Sequence, residues 1–277
     1  MMKKKLFLSL LITLTLFTGF SQDKAKIKGS RNVTNEITEL DPFERIVIGE
    51  DFKIRLIQGI APSIEINADD NLHEVIDFTV QDGSLKFKTN KRITSSKKIE
   101  ITVVFKDSIN TIELKDNAEV STINALQLKT LTLITSQSSK AFMTVKSDLF
   151  KLINSDKSNI ELNLTADKAT LELNDNSNIK ALINASEIEV DLYQRAYAKI
   201  EGDTNNLQVR ADNTTTFKGE KLTAKDCYLI TEGRADVYIE VSENLKIEAS
   251  GTTETFIYGS PEIEITTFED TAVLRKK

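Results

Sequence analysis

The chain has 277 residues, of which 40% are hydrophobic and 28% are charged, and its formal net charge is −6. This composition allows a real core and argues against wholesale disorder. The charge is spread along the chain, so the sequence offers neither the basic stripe that nucleic acid requires nor a polybasic patch for an anionic membrane. We therefore expect no nucleic-acid partner.

The N-terminal segment has the pattern of a signal peptide. Three lysines at positions 3–5 precede an apolar run from Leu6 to Phe17, and small and polar residues follow at positions 19–22. A retained transmembrane anchor is the alternative, but the run is shorter than the roughly 18 residues that span a bilayer. We predict that residues 1–22 are removed. The mature protein is then exported, without an integral membrane segment, to the periplasm or the cell surface.

The first half of the mature chain shows period-two alternation without a regular repeat. Residues 23–42 are polar and are expected to form a loose lead-in. Residues 58–62 are typical of a hairpin-like turn, and Asp82-Gly83 indicates a second turn. Residues 91–98 are polar and basic, which favours a loop. No Pro- or Gly-rich linker follows, so we predict one continuous domain.

The second half contains three apolar columns that recur at a spacing of about 19 residues. The first is Ile112, Leu133, Leu152, Leu171, Val190, Val209, Leu229 and Ile247; the second is Val120, Ala141, Ile160, Ile179, Ala198, Phe217, Val237 and Phe256; the third is Leu131, Phe150, Ala169, Ile188, Leu207, Cys227, Leu245 and Ile263. Polar residues alternate with these positions, which indicates strands with one buried face. Stacked two-strand repeats would bury a common core. The sequence therefore predicts an all-β, single-stranded parallel β-helix.

Short polar corners separate the predicted strands. Asn, Asp and Ser tolerate left-handed backbone and bond to nearby amides. Asp156 and Asp175 are 19 residues apart and should stack at one corner. They could chelate calcium, but hydrogen bonding to the backbone is the commoner role of such residues, and we expect no metal site and no cofactor.

The sequence offers little catalytic chemistry. His73 is the only histidine and is expected to be solvated, and Cys227, the only cysteine, falls in an apolar column and should be buried. β-Helices also host polysaccharide lyases and hydrolases, so an enzyme is the alternative class. It would need clustered acids, for which Asp156, Asp175, Glu161 and Glu172 are the candidates.

Tyrosines are the remaining candidates for binding, and all five lie in the second half. Tyr193, Arg195 and Tyr197 are close in sequence, and Tyr238 alternates with core positions. Tyr is rigid and amphipathic, which suits recognition surfaces. The alternative is that these residues simply favour an exposed sheet. We predict a ligand-binding surface that includes these four residues.

Four segments in a specific order resemble a known family. They are Phe43-Glu44-Arg45-Ile46, residues 51–59, residues 64–72 and residues 82–87. With the polar-cornered columns that follow, residues 43–262 resemble the head GIN domain family of autotransporter-like adhesins, common in exported proteins of Bacteroidetes.

The resemblance implies a right-handed β-helix and no established catalytic residues. From the export signal, the predicted solenoid and the missing catalytic chemistry, we predict an exported, non-catalytic binding or structural module of a Gram-negative envelope that contacts glycan or protein. A periplasmic partner in stress signalling is a further alternative. Residues 263–277 are predicted to be a C-terminal cap and tail, and a homo-oligomer is possible because open solenoid ends invite stacking.

Overall fold

The computed structural model describes residues 24–107 and 109–277, so the predicted signal peptide, residues 1–22, lies outside the described residues. The N-terminal part contains one short 3-10 turn, Asp70–Leu72. Its strands are β1 (Lys26–Lys28), β2 (Val33–Glu39), β3 (Arg45–Ile48), β4 (Lys53–Gln58), β5 (Ser63–Asp69), β6 (Ile76–Gln81), β7 (Ser84–Thr89), β8 (Arg92–Ser95), β9 (Ile99–Phe105), β10 (Thr111–Leu114) and β11 (Glu119–Thr122).

The remainder is a parallel β-solenoid of about nine turns with a spacing near 19 residues, as the sequence predicts. Its strands are β12 (Leu126–Thr135), β13 (Lys140–Asn154), β14 (Asn159–Leu173), β15 (Asn178–Leu192), β16 (Tyr197–Ala211), β17 (Thr216–Thr231), β18 (Asp236–Ala249), β19 (Glu254–Gly259), β20 (Glu262–Phe268) and β21 (Val273–Lys276). Strands β12 to β19 pair in parallel with the coil before and the coil after, and β20 and β21 pair in parallel with the preceding coil. Each long strand bends once without ending, and small buried residues such as Ala185 lie at the bend. Each coil is therefore interrupted by a turn at only one place, the polar corner.

Each coil therefore contributes to two parallel sheets. The first sheet contains the residues after the corner: β4, β11, the initial halves of β13 to β18, then β19 and β21. The second sheet contains the residues before the corner: β3, β10, the final halves of β12 to β18, and β20. The apolar columns fill the space between the two sheets.

The three columns have the predicted register, with one exception. Ile160 lies between Ala141 and Ile179, and all three are buried. The exception is Phe256, which we placed in the second column. The partner of Val237 is Thr255, which is buried, whereas Phe256 lies on the outer surface opposite Tyr238. The spacing between these two coils is 18 residues rather than 19. A step of 19 from Val237 therefore reaches an outward-facing position instead of an inward-facing one.

The irregular first half has a simple explanation. Strands β3 and β4 already form one coil, and β10 and β11 form the next, so Ile46 lies beside Ile112 and Ile54 beside Val120. The chain leaves the solenoid between these coils. In that excursion β7 and β9 pair with β3 and β4, and antiparallel β6 and β5 extend them. Strand β2, which precedes β3, pairs with β5. The excursion covers the N-terminal end of the solenoid.

Several local expectations for the first half are wrong. The described part of the predicted lead-in, residues 24–42, is not loose, because β2 pairs with β5 over seven residues. Residues 91–98 contain β8, which pairs with β1. The buried carboxylate of Asp69 secures both segments by accepting backbone N–H groups of Arg31 and Lys98, each at 3.1 Å. Burial of one carboxylate that several amides satisfy explains why polar sequence is ordered here.

Two further expectations need correction. The turn at residues 58–62 does not close a hairpin, because β9 lies between β4 and β5. The Asp82-Gly83 turn does close one, between β6 and β7. The predicted C-terminal cap, residues 263–277, is another coil: β20 continues the second sheet and β21 the first.

Candidate functional site

The corner between the two sheets is held by a column of left-handed residues. Asp156 and Asp175 have φ angles of 61° and 60°. The Asp156 carboxylate accepts the Gln137 N–H at 2.7 Å, and that of Asp175 accepts the Asp156 N–H at 3.2 Å. Each side chain thus satisfies a backbone donor of the preceding coil. These two aspartates are structural, and among the described residues no group of three or more His, Cys, Asp or Glu is arranged to hold a metal ion.

The other two candidate acids lie on opposite faces. Glu161 belongs to the outer surface of the first sheet, opposite Lys180, whereas Glu172 belongs to the second sheet, opposite Asp191. Neither stands near the corner aspartates in a common cleft. The four carboxylates considered for an enzyme are therefore distributed over three surfaces of the solenoid.

The single thiol and the single imidazole are both buried. Burial raises the pKa of the Cys227 thiol to about 12, and the residue packs in its column between Leu207 and Leu245, as predicted. The expectation of a solvated His73 is wrong. Its side chain is 6% exposed, and Nε2 lies 3.0 Å from the Thr34 hydroxyl of β2. The sequence interpretation missed this burial because it assigned no strand to residues 33–39.

The four predicted binding residues divide between two faces. Tyr193 directly follows the second sheet, and its pKa is raised, first by burial and then by the negative charge of Asp191 in that sheet. Arg195 lies on the corner, where its Nε donates to Asn176 Oδ1 at 2.7 Å. Tyr197 is the first residue of β16 and lies in the first sheet. The corner thus separates Tyr193 from Tyr197.

Tyr238 lies on the same face as Tyr197. Its ring stacks on that of Phe256 in the next coil, with centroids 4.5 Å apart and planes 11° from parallel. The Lys218 ammonium lies 5.5 Å from the Tyr238 centroid, and the Lys277 ammonium lies 4.9 Å from that of Phe256. Two stacked rings flanked by two cations form the largest aromatic feature of this face.

Tyr238 and Phe256 belong to an outward column that crosses strands β13 to β19 of the first sheet, which we call the first-sheet column. The same register continues to Ser121 on one side and to Arg275 on the other. Its members, in coil order, are Phe142, Glu161, Lys180, Lys199, Lys218, Tyr238 and Phe256. Aromatic residues stand at both ends and three lysines lie between them. At about 4.8 Å per coil, the column from Phe142 to Tyr238 extends about 24 Å.

A shallow open depression of about 560 Å³ follows part of this column. Phe142 and Leu182, which are 37% and 45% exposed, supply apolar surface. Glu161, Lys180 and Lys199 supply charge, and Lys199 is paired with Glu201 at 3.1 Å. Its open form suits an extended chain better than a compact small molecule.

The second sheet carries a smaller but chemically similar pair. The Lys246 ammonium lies 5.9 Å from the centroid of Tyr228, whose hydroxyl donates to Glu248 at 2.7 Å. The hydrogen bond to Glu248 is the main reason that the pKa of Tyr228 is raised. Tyr228 is thus engaged within its own sheet and offers a matched comparison for Tyr238.

A separate cavity of about 700 Å³ lies at the N-terminal end. Its apolar lining comes from Phe52, Ile76, Ile93 and Ile99, and Glu50, which pairs with Lys24 at 2.6 Å, lies at its edge. Sequence reasoning missed it because one wall, Ile93, belongs to β8, which was expected to be a loop.

Comparison with known families tests the family resemblance found in the sequence. The model of the family described as "Putative auto-transporter adhesin, head GIN domain" matches residues 42–182 and 151–261. The chain belongs to this family. No curated protein matches the sequence of this head GIN chain.

Solved structures share the head GIN fold. A putative adhesin from Parabacteroides distasonis is 17% identical with a TM-score of 0.63, covering 90% of this chain and 99% of that chain. A putative lipid binding protein from the same organism is 13% identical, also with a TM-score of 0.63, and the match covers 91% of this chain and 99% of that chain. A putative adhesin from Parabacteroides merdae is 15% identical with a TM-score of 0.58, and the match covers 91% of this chain and 99% of that chain. At these identities the likeness concerns the fold alone. Within the described residues, no helix is long and apolar enough to cross a bilayer.

Proposed function

We propose that this head GIN chain is an exported, adhesin-like binding module, and that the outer face of its first sheet contacts an extended glycan. The first-sheet column carries the proposal: aromatic rings at Phe142, Tyr238 and Phe256 frame lysines along about 24 Å of flat parallel sheet. Family membership and the adhesin names of related structures agree with a contact role. The predicted signal peptide supports export to the cell envelope.

The chemistry of the column favours an anionic glycan. Aromatic faces stack on the apolar faces of sugar rings, and lysines attract carboxylate or sulfate groups. Lys180, Lys199 and Lys218 place three ammonium groups in successive coils of a protein whose net charge is −6. Glu161 precedes them in the column, and Glu201 pairs with Lys199. A solenoid presents these groups at a fixed spacing, so a chain of repeating units can engage several coils at once.

A catalytic role has less support. The candidate acids Asp156 and Asp175 already accept backbone amides, and Glu161 and Glu172 face opposite directions. Glycoside hydrolysis needs two carboxyl groups on either side of one bond. A binding function without bond cleavage is therefore the better match to the arrangement of these side chains.

The decisive experiment is a glycan array on the chain from residue 23, followed by titration of the best ligand against two variants. We expect selective binding of acidic glycans that weakens as salt rises. Tyr238→Ala should weaken binding by about tenfold, which corresponds to the roughly 1.4 kcal/mol of one ring contact.

The matched control is Tyr228→Ala, which removes an equivalent ring and cation pair from the second sheet. It should leave glycan affinity unchanged. Equal losses for the two variants, or an array that is blank for every acidic glycan, would exclude this surface as the binding site.

A further inference from the structure

The terminal coil leaves core residues uncovered. Ile263 and Ile265 pair in register with Leu245 and Ile247, which are 1% and 0% exposed, yet they are themselves 42% and 51% exposed. Phe268, at the end of the same strand, is 44% exposed. These side chains continue the apolar columns to an end where, among the described residues, no further coil covers them.

The backbone of this coil is uncovered as well. Within residues 24–107 and 109–277, β20 pairs only with β18 and β21 pairs only with β19, so each has one free edge. The opposite end of the solenoid is covered by β7, β9 and the antiparallel strands beside them. A free, flat strand edge with apolar neighbours is a template for pairing with another strand.

The two strands of the terminal coil carry opposite charge on their outer sides. Strand β20 presents Glu262 and Glu264, and β21 presents Arg275, with Lys277 directly after it. The nearest intramolecular pairs, Lys246 with Glu264 at 3.7 Å and Arg275 with Glu254 at 3.6 Å, are exposed and weak. One edge of the solenoid end is therefore acidic and the other is basic.

We propose that the partner of this surface is a second copy of the chain, stacked end to end about a two-fold axis parallel to the strands. Such an axis places β21 of each copy against β20 of the other. Because a closed coil runs in opposite directions along its two sheets, the facing strands are antiparallel and can bond edge to edge. The alternative two-fold axis pairs β20 with β20 and brings Glu262 and Glu264 against their own copies, which charge repulsion disfavours.

The size of the surface sets the expected affinity. Seven residues at about 3.3 Å give a face about 23 Å long, and two sheets lie about 10 Å apart. With its outer side chains, the face buries about 500 Å² per copy, or about 1,000 Å² in total, the lower limit for a specific interface. We expect a dimer that forms in the micromolar range and depends on concentration.

Sedimentation velocity on the chain from residue 23, from about 1 to 200 μM, tests the proposal with charge-reversal variants. The wild type should change from monomer to dimer across this range. One double variant, Glu262→Lys with Glu264→Lys, has two basic strands in the terminal coil. The other, Arg275→Glu with Lys277→Glu, has two acidic strands there. Each double variant should weaken the dimer by tenfold or more, and combining all four changes should restore it.

Equimolar mixing of the two double variants should give a heterodimer, because each basic strand then meets an acidic one. The control is Lys129→Glu with Lys225→Glu, two exposed residues on earlier coils, which should dimerise like the wild type. A wild type that is monomeric at 200 μM, an open-ended polymer, or a fourfold variant as weak as the double variants would overturn the proposal. Circular dichroism on each variant confirms that it is folded.

Discussion

Replacing Ile160 with Lys is expected to unfold the solenoid, with a loss of at least about 4 kcal/mol of unfolding free energy. The Ile160 side chain is 2% exposed and lies in a column between Ala141 and Ile179, both fully buried. The variant loses the packing of a branched side chain and places an ammonium where no carboxylate can pair with it. A group left charged and unpaired in an apolar column costs several kcal/mol.

The neighbouring substitution Glu161→Lys is the matched control, because it introduces the same side chain one residue away on the exposed face. Thermal unfolding followed by circular dichroism should show a melting temperature within a few degrees of wild type for this variant. For Ile160→Lys it should show a decrease of at least about 10 °C or no folded signal. Similar melting temperatures for the two variants would contradict the assignment of inner and outer faces.

The second large effect is expected at Gly202. Its φ is 126°, and a Cβ added there would overlap the carbonyl oxygen of Ile183 in the preceding coil. The register also shifts between Lys199 and Glu201, so the backbone bulges at this point. Gly202→Ala should cost about 3 kcal/mol or more, because both the backbone angle and the contact must change.

Gly83→Ala separates these two causes. Gly83 also has a positive φ, 68°, but an added Cβ would meet no atom within 4 Å. The substitution should therefore cost only the conformational strain, about 1 kcal/mol. Urea unfolding of both variants measures the difference, and a cost at Gly202 no larger than that at Gly83 would show that the coils are not in such close contact.

The regular coils could be predicted because one rule governs them. A residue such as Leu171 has the same environment as Leu152 and Val190, so burial repeats with the chain spacing. That rule fails where the chain leaves the solenoid. Ile46 and Ile112 are neighbours in space, yet the excursion between them breaks the repeat.

Side-chain detail was predictable only where it followed the repeat. Burial of Cys227 followed from its column, whereas burial of His73 depends on β2 folding back over it, a long-range pairing that leaves no local signal. The stacked rings of Tyr238 and Phe256 were missed because a step of 18 residues reverses which side faces out. The division of Tyr193 and Tyr197 by the corner requires the left-handed backbone at Gln194, where φ is 61°.

The most direct test of the stacked-coil structure is a pair of spin-label distances, measured on labelled chain diluted into unlabelled chain. Thr130 and Asn206 are exposed and four coils apart in one register, and Thr130 and Asn244 are six coils apart. At about 4.8 Å per coil, the account predicts distances near 19 Å and 29 Å, a difference of about 10 Å. Two equal distances, or a longer one for the closer pair, would contradict it.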